Sequence, residues 1–390
     1  MLADPPIQKW SALMGAPQGV LFNRQLTSWR ESARIQLGLP DKPLVVVGHQ
    51  PEFFHPGILA KFIAGSTLST EVSGALVHLV VDHYIGTSGV VEVPDETGTY
   101  LSTKEMVVAN VDTNIAMKDQ QRTEKQGNSL FCLALQNAEG ENLAMQFANA
   151  TSALMAQYAT VGYCIAGTDL LKTDFGKGIL RDMQQRPEAC IAAYNNAIDM
   201  FPDCGIAYLA KGELPIWQGK QNSRVSVVSG NSVNCGDLRP RALLLTLLAR
   251  VVLGDIFVHG TGGFAYDRIM EAWASKWLGI TPCPMVMQTA NVCLPLQVET
   301  VDEARHAYFS SPEHFLHAIE QAPYGSPERR LQFLAMHAWF RQHGAKPDIA
   351  LLQRANKVAS RRSWAFPLYS PEQLSQLTKT ITGYAVPKFS

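Results

Sequence analysis

Residues 43–57, PLVVVGHQPEFFHPG, decide the fold. Leu44 to Val47 form a short, β-branched run with no polar alternation, which suits a strand covered on both faces in a parallel sheet. Gly48 ends the run, and a loop carrying His49, Gln50, two prolines and His55 follows. From Pro56 or Gly57 the apolar positions Ile58, Leu59, Phe62 and Ile63 recur at spacings of three and four, which places them on one helical face. Strand, loop and helix in that order are the repeating unit of parallel α/β sheets.

Outward from this unit the pattern recurs. Residues 75–81 (ALVHLVV) read as a second buried strand whose end delivers Asp82 and His83, and residues 89–93 and 105–108 as further strands. Residues 113–131 are polar and read as a connection, and residues 141–200 as mainly helical, with Leu143, Phe147, Leu154 and Tyr158 on one face. The sheet is expected to resume at residues 224–228. Residues 237–241 (DLRPR) should then open a helix, apolar nearly all round from 242 to 253, with Gly254 as its stop. Residues 255–258 (DIFV) predict a strand, 259–263 (HGTGG) a tight loop, and 264–278 a helix with Ile269, Trp273 and Trp277 at apolar spacing. Residues 363–368 read as an edge strand, because Pro367 has no amide for a ladder. The expected fold class is α/β, a Rossmann-like, mainly parallel sheet with helical insertions. Its blocks are residues 1–112 (first part of the core), 113–222 (helical insertion), 223–300 (second part of the core) and 301–390 (helical C-terminal region).

At 390 residues the chain can bury a large core, and 46% hydrophobic against 17% charged residues is globular composition. Lys plus Arg total 33 against 34 Asp plus Glu, so no net field draws the protein to nucleic acid or an anionic membrane. Residues 1–10 lack the basic start and apolar run of a signal peptide, and no apolar run reaches the ~20 residues of a membrane span. Seven scattered cysteines, with no CxxC pair, argue for reduced thiols in a cytoplasm.

The candidate site residues sit where strands end, since open parallel sheets bind ligands beyond the carboxyl ends of their strands. His49, His55, Asp82 and His83 are the candidate catalytic groups, because imidazoles and a neighbouring carboxylate move protons near neutral pH. Gly48, Gln50 and Gly57 flank a helix start whose free amides favour an anion. Gly260, Thr261, Gly262 and Gly263, with Tyr266 beyond them, form a second anion cradle, and Arg239 offers a guanidinium for phosphate or carboxylate. No HExxH or comparable spacing predicts a metal site.

His55-Pro-Gly resembles the first three positions of the HxGH signature of nucleotidylyl transferases, with Ile58 where the last histidine stands. Three stretches together also resemble the bacillithiol synthase family. They are Gly48-His49-Gln50-Pro51 with Phe53-Phe54, then Asp82-His83, then Leu238-Arg239-Pro240 followed by Gly260, Gly262, Ala265 and Tyr266. That resemblance implies a Rossmann-type core, ATP or another adenine nucleotide, a small-molecule substrate, cysteine addition in thiol metabolism, and a homodimer, although no sustained heptads follow Asp302. The leading expectation is a ligase joining an amine to a carboxylate. The alternatives are nucleotidyl transfer through His49 and His55, and a non-catalytic nucleotide- or metabolite-binding module.

Overall fold

The computed structural model describes residues 2–124, 127–220, 223–229, 237–304, 313–343 and 348–385. The first elements are β1 (Leu2–Asp4), α1 (Leu26–Gln36), β2 (Leu44–His49), α2 (Pro56–Glu71), β3 (Ala75–Val80), β4 (Val90–Asp95) and β5 (Ser102–Val107). Then come α3 (Leu130–Asn137), α4 (Leu143–Met155), β6 (Tyr163–Ala166), α5 (Asp169–Lys172), α6 (Asp174–Gln185) and α7 (Pro187–Met200). These are followed by β7 (Glu213–Lys220), β8 (Ser223–Val228), β9 (Leu238–Pro240), α8 (Ala242–Val252), β10 (Ile256–His259), α9 (Thr261–Leu278) and β11 (Met285–Thr289). The last helices are α10 (Glu313–Gln321), α11 (Pro327–His343), α12 (Ile349–Ala359) and α13 (Pro371–Ala385).

The central sheet has six strands in the order β1-β11-β10-β2-β3-β6. All neighbours are parallel except β1, which runs antiparallel to β11. The chain lays β2, β3 and β6 outward on one side, then returns to place β10 and β11 on the other side of β2. The order therefore reverses between β2 and β10, where open α/β sheets form a ligand crevice at their carboxyl ends. The expected α/β, Rossmann-like class is the observed one.

Burial explains the elements. Leu44, Val45, Val46 and Val47 are all 0% exposed, as a strand with helices on both faces requires. α2 starts with Pro56 in its first turn and His55 as its N-cap, the Gly57 amide donating to His55 Nδ1 at 3.0 Å. Gly65 lets α2 lie close on the sheet, since a Cβ there would come within 2.8 Å of Leu76 Cδ1. α8 is buried from Leu243 to Val252, so its apolar circumference reflects enclosure.

Several expectations fail, each for a physical reason. Residues 224–228 do not rejoin the central sheet; β8 pairs antiparallel with β7, and β9 completes a separate three-stranded sheet. Residues 238–240 are that third strand, so the helix begins only at Ala242, after Arg241. The 259–263 loop shrinks to Gly260, the N-cap of α9, with Thr261, Gly262 and Gly263 already in its first turn. β4 and β5 form their own two-stranded sheet. Residues 366–368 are a 3-10 turn, not an edge strand. The segment read as helical hides β6, and β11 carried no expectation at all.

The chain divides into two compact units, one of Met1–Val91, Val107–Val292 and Ala365–Ser390, the other of Glu92–Met106 and Cys293–Trp364. The first contains the central sheet and every candidate site residue. The second contains α10, α11 and α12, with ion pairing of Arg361 to Glu92. Among the described residues no helix is long and apolar enough to cross a membrane.

Candidate functional site

The register places the strand ends at one edge. Val47 pairs with Val258 and His49 with Val80, so His49, His259-Gly260 and Asp82 all emerge at the carboxyl ends of neighbouring strands. α2 and α9 begin there too; in α2 the Gly57 amide is already taken by His55 Nδ1 and the Ile58 amide by the His55 carbonyl.

At β2, His49 is held by Glu52, with Nε2 at 3.2 Å from Oε1, close enough to pair but outside hydrogen-bond angles. Its ring meets Phe54 edge-on at 5.1 Å. Burial pushes the His49 imidazole below its usual range, with Glu52 opposing. Gln50 is half-buried. His55 Nδ1 serves the cap of α2, which limits the HxGH-like part it could play.

Lys61, which the sequence reading passed over, is 4% exposed and donates from Nζ to the Gly48 carbonyl at 2.9 Å. Burial pulls its amine down to about 7. A Cβ on Gly260 would lie 3.9 Å from Lys61 Cδ, so the side chain runs between the ends of β2 and β10. Beside it His78 on β3 is 1% exposed, has neither ring nitrogen hydrogen-bonded, and packs edge-on to Phe62 at 4.9 Å. Burial, followed by the charges of His49 and Lys61, lowers His78 to about 3. Unsatisfied buried polar groups are costly and rare, and His49 Nε2 and both ring nitrogens of His78 are among those of this chain.

Asp82 is 1% exposed and already engaged. The Thr168 amide donates to Oδ1 at 3.0 Å, Thr168 Oγ1 donates to Oδ2, and His83 Nδ1 lies 3.5 Å from Oδ1. Burial alone would raise this carboxyl, but His83 and Thr168 hold it below the usual carboxylate range. The pair ties the end of β3 to the end of β6, so Asp82 sits in the framework beside the crevice.

At β10, Thr261 and Gly262 are exposed, and a Cβ on Gly262 would meet nothing within 4 Å. The first turn of α9 is thus open to a ligand. Beneath it His259 Nε2 lies 3.0 Å from Asp267 Oδ2, which also accepts from Arg250 Nη1 at 2.7 Å. Burial would raise Asp267, but His259 and Arg250 hold it at about 2. Gly263 is required here, because a Cβ would stand 2.4 Å from His259 Nδ1. Tyr266 lies edge-on to His259 at 6.2 Å, its hydroxyl pushed up to about 12 by burial. Asp267, in the second turn of α9, carried no signal in the sequence reading.

Arg239 is enclosed rather than open at the crevice. It is 2% exposed and donates to Asp119 and to Asp237, the latter at 2.9 Å. These carboxylates in turn hold Lys118, at 2.9 Å from Asp119 and 3.5 Å from Asp237. Lys118 lines a cavity of about 510 Å³ with Thr168, Lys172, Lys177, Arg181 and Asp237. A buried guanidinium between two carboxylates is already compensated.

A parallel sheet with an order reversal, two helix starts and a glycine-lined turn defines a Rossmann-like α/β protein. No family profile matches the chain, and no curated protein does. Among solved structures it is similar to tyrosyl-tRNA synthetase complexed with L-tyrosine from Archaeoglobus fulgidus, at 12% identity and TM-score 0.28, over 97% of this chain and 98% of that one. It is also similar to tryptophanyl-tRNA synthetase from Plasmodium falciparum, at 9% identity and TM-score 0.30, over 92% of each chain. Likeness of this grade assigns no activity. The resemblance to bacillithiol synthase is not borne out: no family profile and no curated protein returns it.

Proposed function

We propose that the protein is a ligase-type enzyme that binds ATP or another adenine nucleotide between β2 and β10 and joins a carboxylate to an amine. The observation that carries this reading is the reversal of strand order at β2/β10, with the open first turn of α9 on one side and the half-buried His49 and buried Lys61 on the other. The amides of Thr261, Gly262 and Gly263 suit phosphate oxygens, and an ammonium at Lys61 adds charge beside them. The nucleotide supplies an activated phosphorus that turns a carboxylate into an acyl donor. His49, kept neutral by burial, accepts a proton from the incoming amine, and Glu52 fixes its ring. The basic cavity at Lys118, Lys172 and Arg181 suits a substrate carrying its own anionic group.

The test incubates the protein with ATP and a panel of amino acids and amine acceptors, following AMP, pyrophosphate and product mass. His49→Ala and Lys61→Met should each lower turnover by roughly a hundredfold or more with the fold retained. Wild-type turnover in both variants would remove them from the mechanism, and pyrophosphate release with the nucleotidyl group kept on the product would point to nucleotidyl transfer. A second reading, a binding module without chemistry, is favoured by the Asp82 carboxylate being spent on Thr168. ATP binding with no turnover would select it.

A further inference from the structure

The amino edge of the sheet, at the opposite end of the strands from His49, holds a different arrangement. A cavity of about 670 Å³ lies against α1 and the start of β10, lined by Arg30, Arg34, Ile35, Leu39, Pro40 and Asp255 among others. Both guanidiniums are nine-tenths buried, with side-chain exposures of 8% and 9%, and one carboxylate, Asp255, stands between them. Asp255 is fully used: it pairs with Arg30 through Oδ1 and with Arg34 through Oδ2 at 2.9 Å, and Oδ2 also accepts the Leu44 amide at 2.7 Å.

The two arginines differ. Arg34 spends its other donors on the carbonyls of Leu253 at 3.0 Å and Lys42 at 3.3 Å. Arg30 bonds Asp255 through Nη2, while its Nε is buried with no hydrogen-bond partner. Two buried cations against one buried anion leave a surplus positive charge in the cavity wall. Burial, and then the charge of Arg30, lower Arg34 from its usual value, with Asp255 opposing. The remaining charged groups of the lining, Glu31, Asp41 and Lys42, are exposed and hydrated. A guanidinium that shares its one buried carboxylate with a second arginine, beside an apolar wall, suits an oxyanion on a hydrocarbon body.

We propose that this cavity is a second binding site, taking a small amphipathic carboxylate whose charge meets Arg30 and whose hydrocarbon lies on Ile35, Leu39 and Pro40. It lies about 16 Å from the crevice, the length of β2, and is independent of the nucleotide reading.

The full chain is titrated by calorimetry with hexanoate, with hexanol as an uncharged match and with inorganic phosphate as a bare anion. Hexanoate should bind saturably in the millimolar range, with hexanol and phosphate each about tenfold weaker or more. Arg30→Gln should weaken hexanoate about tenfold to a hundredfold, the loss of a charged hydrogen bond. Ile35→Glu changes a side chain that is 78% exposed, so folding is spared, and it should weaken hexanoate similarly by repulsion. It decides the matter if Arg30→Gln does not fold. Lys61→Met should leave hexanoate binding unchanged, which separates this site from the nucleotide crevice. The proposal is overturned if hexanoate does not saturate by ~20 mM, if hexanol or phosphate binds as tightly, or if folded Arg30→Gln or Ile35→Glu binds like wild type.

Discussion

Lys61 concentrates the tension of the molecule in one side chain. Its amine, drawn from 10.5 to about 7 by burial, is protonated in both folded and unfolded chains below neutral pH, where the folded state bears the cost of a buried charge. Between about 7 and 10.5 the unfolded chain holds the extra proton, so this cost is relieved as pH rises. Lys61→Met should therefore stabilise the protein at pH 6 by about 1–4 kcal/mol, the gain shrinking toward pH 10, as read by urea unfolding across that range. A gain that does not change with pH would mean that the amine is not titrating in the fold. If the same variant loses turnover, the buried charge is kept for chemistry at the expense of stability.

At the scale of elements, the strand–loop–helix unit of residues 43–71 is set by packing. Gly65 in the middle of α2 faces Leu76, Val47 and Val45, and a Cβ there would be 2.8, 3.3 and 3.4 Å from their side chains. Gly65→Leu should overpack this contact and cost about 1–3 kcal/mol, visible as a lower urea midpoint with an unchanged slope. A neutral result would show that α2 can shift away from the sheet, and would loosen the link between α2 and the crevice. The α2 unit, β3, α8 and α9 were legible because each carries its own periodicity or an unbroken apolar run. β6 was not, since Tyr163–Ala166 is four residues long and only half its positions are buried.

For the whole molecule, Cys132, Cys190 and Cys283 are buried, and burial pushes the thiols of Cys190 and Cys283 up to about 12. Alkylation with iodoacetamide should label exposed Cys293 in the native state, and these three only in step with global unfolding. Saturating nucleotide should slow their labelling, about a hundredfold at a hundred times its Kd, by mass action. Fast labelling of Cys190 or Cys283 in native buffer would show that the sheet opens locally. Labelling that ATP leaves unchanged would count against the nucleotide reading.

By itself the sequence determined the α/β class, the first strand with its loop and helix, and the placing of His49, Asp82 and Gly260 at strand ends. Those features are local, written in runs of apolar residues and in the glycines and prolines that stop them. The tertiary structure alone decided what the side chains do. Thr168, far along the chain, takes up Asp82, while Asp119 and Asp237 take up Arg239. Lys61 meets the Gly48 carbonyl, and two arginines share Asp255. Asp237 lies only two residues from Arg239, and Lys61 packs back on its own unit. Thr168, Asp119 and Asp255, however, reach their partners from far along the chain, through the order in which the elements pack, and no local pattern records which element will be a neighbour.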